Sequence, residues 1–144
     1  MSSSSNIARE MSKLLPTFIR HMYPYIFQPL KLPPSQVLVI TALYEKGPCC
    51  LNDLSREMHI SAPTATGIVS RLEKFGYVKR TQDSSDRRAV KIELTTRGEK
   101  ILQELRLNIM KRWEGILQKL PQEEQENILK MITKITKGFI HGAL

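Results

Sequence analysis

Residues 76–95 read GYVKRTQDSSDRRAVKIELT, and the fold turns on them. The β-branched and aliphatic content of 78–81 and 89–94 predicts two short strands. Between them, 82–88 forms a polar loop without glycine that ends on two adjacent guanidiniums, Arg87 and Arg88. A hairpin this small has no core of its own and projects its charge outward, which suits a phosphate backbone or a narrow groove. Such a device reads little alone, so the chain upstream has to supply a second element.

It does. Asn52 or Asp53 is placed to cap a short helix ending near Met58 or His59, with Leu54 and Met58 inward. His59-Ile60-Ser61 makes a three-residue turn, and Ser61 is a good N-cap for a second helix over about 62–75. On that helix Ala65, Ile68, Val69 and Leu72 share one face. Pro63, Gly67, Ser70 and Lys74 lie opposite, flanked by Thr66 and Arg71, and Gly76 ends the helix. Two helices joined by a tight turn, the second polar on its outer face, and then a charged hairpin: this is a winged helix-turn-helix pattern.

The first half of a recognition helix faces base edges in the major groove. Here that half offers Ala62, Pro63, Thr64, Thr66, Gly67 and Ser70, with Arg71 positioned for a guanine or a phosphate. Hydroxyls donate or accept flexibly, while Ala62, Pro63 and the threonine methyls suit thymine methyl groups. The expected operator is A·T-rich, with modest direct readout. Gly67 costs about 1 kcal/mol relative to alanine inside a helix. It reads equally as a close approach of backbone to DNA or as simple tolerance.

Outside this block the chain is helical. Ile7, Met11, Leu14, Leu15, Phe18, Met22 and Ile26 fall at helical spacing and predict a long first helix over about 6–28, which Pro16 and Pro24 are expected to kink or break. The serine run before it is expected to be disordered. Pro29, Pro33 and Pro34 mark a linker. A second helix follows over about 34–46, with Val37, Leu38, Ile40, Thr41 and Leu43 inward, and 49–51 has room only for a short strand. After the hairpin, Thr95 caps a helix over about 96–119, and Pro121 separates it from a last helix over about 122–141. Ile128, Ile132, Ile135 and Phe139 line one side of that last helix. These outer apolar faces meet either a second copy of the chain, in an intertwined homodimer, or each other in a monomer.

The expected fold is therefore mainly α with a small β-hairpin wing. Residues 1–5 form a disordered N-terminus, 6–32 and 98–144 the N- and C-terminal dimerisation helices, and 33–97 the winged helix-turn-helix.

Composition fits a nucleic-acid partner without proving one. The 144 residues carry a net charge of +8. That charge is spread: 5 basic against 2 acidic side chains over 1–47, 9 against 6 over 48–97, and 8 against 6 over 98–144. Cys49 and Cys50 are adjacent, too close for an unstrained disulfide or for ordinary metal-ligand spacing, and point to a reducing compartment. A thiol switch at this pair is one alternative to a small-molecule signal, and a winged-helix protein-interaction module that does not bind DNA is the other reading. His21, His59 and His141 lack paired-ligand spacing, so no metal and no cofactor is expected. No apolar run is long enough to span a membrane and the start is unlike a signal peptide, which predicts a cytoplasmic protein. Phosphate loops, His-Glu-x-x-His and Gly-x-Ser-x-Gly are absent, so an enzyme is not expected.

With these pieces in place the chain resembles the MarR (multiple antibiotic resistance regulator) family. The specific match is Asp86-Arg87-Arg88-Ala89, four further residues, then Leu94-Thr95 with Gly98 beyond. It is joined by 61–80, SAPTATGIVSRLEKFGYVKR, as recognition helix and exit into the wing. The resemblance implies a dimer of winged-helix modules on a pseudo-palindromic double-stranded operator, usually a repressor relieved by a signal. By that resemblance Arg88 is the wing arginine that enters the minor groove and Asp86 is its brace. Arg87 either contacts phosphate or is solvated. The family commonly senses small aromatic anions in a cleft between the dimer helices and the winged helix. His21, Tyr25 and Trp113 are candidates for such an effector site, or else ordinary packing and surface residues. A reactive cysteine in the first helix, as in the family's peroxide sensors, is absent.

Overall fold

A computed structural model of the chain describes residues 2–83 and 85–142, with side chains left out at 83 and 86–89. It divides into two units, Met1–Asn108 and Ile109–Leu144.

In the first unit, α1 (Ser3–Phe27) runs unbroken through Pro16 and Pro24. Each proline removes a single N–H donor, and the helix resumes bonded turns on either side. The break expected from them does not occur. The helix also begins inside the serine run expected to be disordered, because the Ser2 side chain accepts a hydrogen bond from the Ser5 N–H at 3.2 Å and caps it. Of the α1 residues only Met22 is buried. A short 3-10 turn, Gln28–Leu30, sinks Leu30 into the core, and Lys31 takes a left-handed φ of 54° to leave it.

Helix α2 (Pro34–Lys46) starts on a proline, whose missing N–H costs nothing in a first turn. It buries Val37, Val39, Ile40, Ala42 and Leu43. Leu38, expected inward, is exposed, and Thr41 is half-buried with its hydroxyl donating to the Leu38 carbonyl. Both lie across the helix from the face that Gln36, Ile40 and Leu43 define. Gly47, at φ 79°, turns the chain out of α2.

Cys49 then pairs with Ile92 through two backbone hydrogen bonds of 3.1 and 2.8 Å, so the expected short strand is a single bridge against the hairpin. Helix α3 (Leu51–Glu57) has Cys50, not Asn52 or Asp53, at its N-cap position, with no side-chain capping hydrogen bond. Asp53 falls in its first turn, where the helix dipole favours a carboxylate. Helix α4 (Ala62–Lys74) follows a turn in which His59 is left-handed at φ 53°.

Strands β1 (Val78–Asp83) and β2 (Asp86–Leu94) form the antiparallel hairpin. Both extend further than their apolar residues alone predict, so most of the expected loop is strand. The register runs regularly from Val78↔Leu94 to Gln82↔Val90, then shifts before Asp83↔Asp86. Residues 87–89 sit in that irregular stretch, a bulge on β2.

Helix α5 (Thr96–Leu117) buries Gly98, Ile101, Leu102 and Leu105 in the first unit. These join Val37, Ile40, Leu54, Val69, Leu72, Val78 and Ile92 as the buried core. In the second unit, α6 (Gln122–Ile140) places Glu123 and Glu124 in its first turn and buries none of its residues.

Candidate nucleic-acid interface

The reading face is set by the two sides of α4. Ala65, Ile68, Val69 and Leu72 are buried, as their spacing predicts. With that face closed, Ala62, Pro63, Thr64, Thr66, Gly67, Ser70 and Arg71 are all exposed on the remaining surface. Ser61 fixes where the helix starts: its Oγ accepts from the Thr64 N–H at 3.3 Å and donates to Thr64 Oγ1 at 2.8 Å. Thr66 Oγ1 donates back to the Ala62 carbonyl at 2.9 Å. Gly67 faces open space, since a Cβ added there would meet nothing within 4 Å.

Around this face the charges sort into paired and unpaired. Arg80 meets Glu73 at 3.3 Å, tying the hairpin to α4, and Lys79 meets Glu93 at 3.0 Å across the hairpin. Arg71 and Lys74 form no ion pair among the described residues and stay available to an external anion. The side chains of Asp86, Arg87 and Arg88, the expected wing tip and brace, lie outside the described residues.

The base of the hairpin holds residues whose role the sequence shows only as a motif. Thr95 Oγ1 donates to the Gly76 carbonyl and accepts from the Gly98 N–H, while the Thr95 N–H bonds the Tyr77 carbonyl. One side chain thus caps α5 and ties it to the exit of α4. Gly98 is required by contact: a Cβ there would lie 2.2 Å from the Tyr77 carbonyl oxygen. Beside it the Arg97 guanidinium stacks 4.9 Å from the Tyr77 ring centroid. The spacing Leu94-Thr95-x-x-Gly98 carried this signal, but the partners Gly76 and Tyr77 are remote in sequence.

The cysteines occupy different environments. Cys49 is buried, and that burial pushes its thiol pKa up. Cys50 is half-buried and donates to the Asp53 carboxylate; this bond, with the Arg56 guanidinium, holds the Asp53 pKa below its usual value.

His21 and Tyr25 are exposed one helical turn apart on α1, with His21 Nδ1 2.7 Å from the Thr17 carbonyl. Trp113 belongs to the second unit, where it lines a cleft of about 280 Å³ with Leu117, Gln125, Ile128, Leu129 and Ile132. Among the described residues no three His, Cys, Asp or Glu side chains gather as a metal site. No described helix is long and apolar enough to cross a membrane.

Comparison with known proteins bears on this arrangement. A family model described as MarR family matches residues 32–90. The HTH-type transcriptional regulator FarR of Neisseria gonorrhoeae is 33% identical over 99 residues, spanning 69% of this chain and 68% of that one. BilQ of Clostridioides difficile (strain CD3), also an HTH-type transcriptional regulator, is 30% identical over 92 residues, 64% and 62% of the two chains. Among solved structures, a MarR family protein from Bacillus stearothermophilus aligns with a TM-score of 0.84 at 24% identity, covering 97% of this chain and 99% of that one. A mutant of S. aureus MepR bound to an oligodeoxyribonucleotide aligns at 0.67 and 20% identity, covering 96% and 99%.

Proposed function

The chain belongs to the MarR family of winged helix-turn-helix proteins, and from that premise we propose that it is a sequence-specific DNA-binding transcriptional regulator. In this reading it acts as a homodimer on a pseudo-palindromic operator, represses there, and is released by a small-molecule signal. The observation that carries the DNA-binding part is the division of α4: four residues close the core while seven candidate reading residues are all exposed on the other side. Helix α4 enters the major groove and β1–β2 reaches an adjacent minor groove. Arg88 is the side chain assigned to that groove, Asp86 its brace and Arg87 a phosphate contact. Arg71 and Lys74 add sequence-independent attraction to the backbone.

The homodimer part is supported by exposed carbon. Ile7, Leu14, Leu15, Phe18 and Ile19 on α1, and Leu129, Ile132, Ile135, Phe139 and Ile140 on α6, are all large, apolar and exposed in the single chain. A second copy removes such surfaces from water. His21, Tyr25 and Trp113 are the candidate contacts for an aromatic or anionic effector. The single observation favouring that role is the cleft beside Trp113.

Titration against duplex DNA over a range of salt concentrations tests the reading. The log of the affinity is expected to fall steeply and linearly with log salt, by about 0.9 for each phosphate neutralised. Arg88→Ala is expected to weaken binding by about 1–3 kcal/mol. A flat salt plot overturns the DNA-binding reading, and an unchanged affinity in Arg88→Ala overturns the wing assignment.

A further inference from the structure

The outer face of α4 is notable for what it lacks. Through its first two turns the exposed reading residues are Ala62, Pro63, Thr64, Thr66, Gly67 and Ser70, and charge enters only at Arg71. Bidentate base readers, arginine or lysine for guanine and asparagine or glutamine for adenine, are missing from those turns. Of the three hydroxyls on this face, Thr66 commits its proton to the Ala62 carbonyl, while Thr64 accepts from Ser61 and keeps its own proton. Beside these hydroxyls the face offers a partner carbon: the Ala62 methyl, the Pro63 ring and the γ-methyls of Thr64 and Thr66. The group in the major groove that matches exposed carbon is the methyl at pyrimidine C5, carried by thymine and equally by 5-methylcytosine.

Gly67 points the same way. Its backbone is not left-handed and a Cβ there would touch nothing within the chain, so neither conformation nor internal packing calls for glycine. A glycine inside a helix weakens the helix. At this exposed position an absent side chain leaves room for the helix axis to approach a surface closely enough for short methyl groups to make van der Waals contact.

We propose that α4 reads pyrimidine 5-methyl groups, so that the protein distinguishes thymine from uracil and 5-methylcytosine from cytosine at the positions under Ala62–Ser70, and its binding responds to cytosine C5 methylation of the site. This rests on the DNA-binding reading above. The methyls of Thr64 and Thr66 are the contacts, and Gly67 sets the depth at which they act.

The test starts from duplexes that the wild-type protein selects out of a random-sequence pool. Each thymine is replaced singly by deoxyuridine, and binding is compared at one salt concentration. At one or more major-groove positions in each half-site the affinity is expected to fall about fourfold, the worth of one buried methyl. Replacing such a thymine by cytosine and then by 5-methylcytosine, each paired with guanine, is expected to lose affinity and then recover about the same factor. A Thr64→Ser/Thr66→Ser double variant keeps both hydroxyls and removes both methyls, and is expected to flatten these differences. Equal affinity for thymine and deoxyuridine duplexes, with a steep salt dependence intact, overturns methyl reading and leaves DNA binding standing. The same discrimination in the serine variant shows that the Thr64 and Thr66 methyls are not the contacts and also overturns the proposal. Absence of salt-sensitive binding to any duplex removes both readings.

Discussion

Helices α4 and α6 are both amphipathic, but only one has its apolar face closed within the chain. Four residues of α4 are buried, among them Ala65, Val69 and Leu72 at 0% exposure. None of α6 is, and Phe139 stands 73% exposed. The difference separates an apolar face that the chain closes by itself from one that it leaves exposed. The reading helix is seated on α2, α3 and β1, so its geometry is set before any second copy arrives. The last helix carries its carbon on the outside, where the proposed dimer would cover it.

The sharpest way to test that contrast is to damage the closed side. Leu54 is fully buried, and Leu54→Ala is expected to cost about 2–5 kcal/mol. Urea unfolding followed at two protein concentrations measures it, and the loss is expected to be the same at both. Damage to the open side is expected to behave differently. Phe139→Asp places a charge on carbon that a second copy would bury, and is expected to weaken self-association at least tenfold, which sedimentation at graded concentrations reads. A variant that unfolds like Leu54→Ala while its association constant stays unchanged would erase the distinction. The smallest effect is the most diagnostic. Gly67→Ala is expected to stabilise the fold by about 1 kcal/mol through helix propensity, while weakening DNA binding because the helix can no longer approach as closely. Thermal melts and duplex titration of the same sample give both signs, and a gain in stability with no loss of binding would mean that Gly67 is tolerated rather than used.

Legibility in the sequence follows the same division. The buried stripe of α4 was readable because Ala65, Ile68, Val69 and Leu72 lie at helical spacing between a serine cap and a glycine stop. Reading fails where spacing is not what decides. Leu38 looks like a core residue by type, but the packed face of α2 turns away from it. Pro16 and Pro24 look like breaks, yet each removes only one donor from a long helix. Gln82, Asp83 and Asp86 are too polar to suggest strand, and only pairing across the hairpin makes them so. The effector candidates were the least legible, since His21 and Tyr25 on one side and Trp113 on the other belong to different units of the chain.

The threonine at the root of the wing has a mechanical consequence. Its hydroxyl joins the end of α4 to the start of α5, and the absent side chain at Gly98 lets the two backbones touch. The hairpin base is therefore pinned to the first turn of α5. The first turn of α5 cannot shift against the exit of α4 without breaking the bonds of the Thr95 hydroxyl.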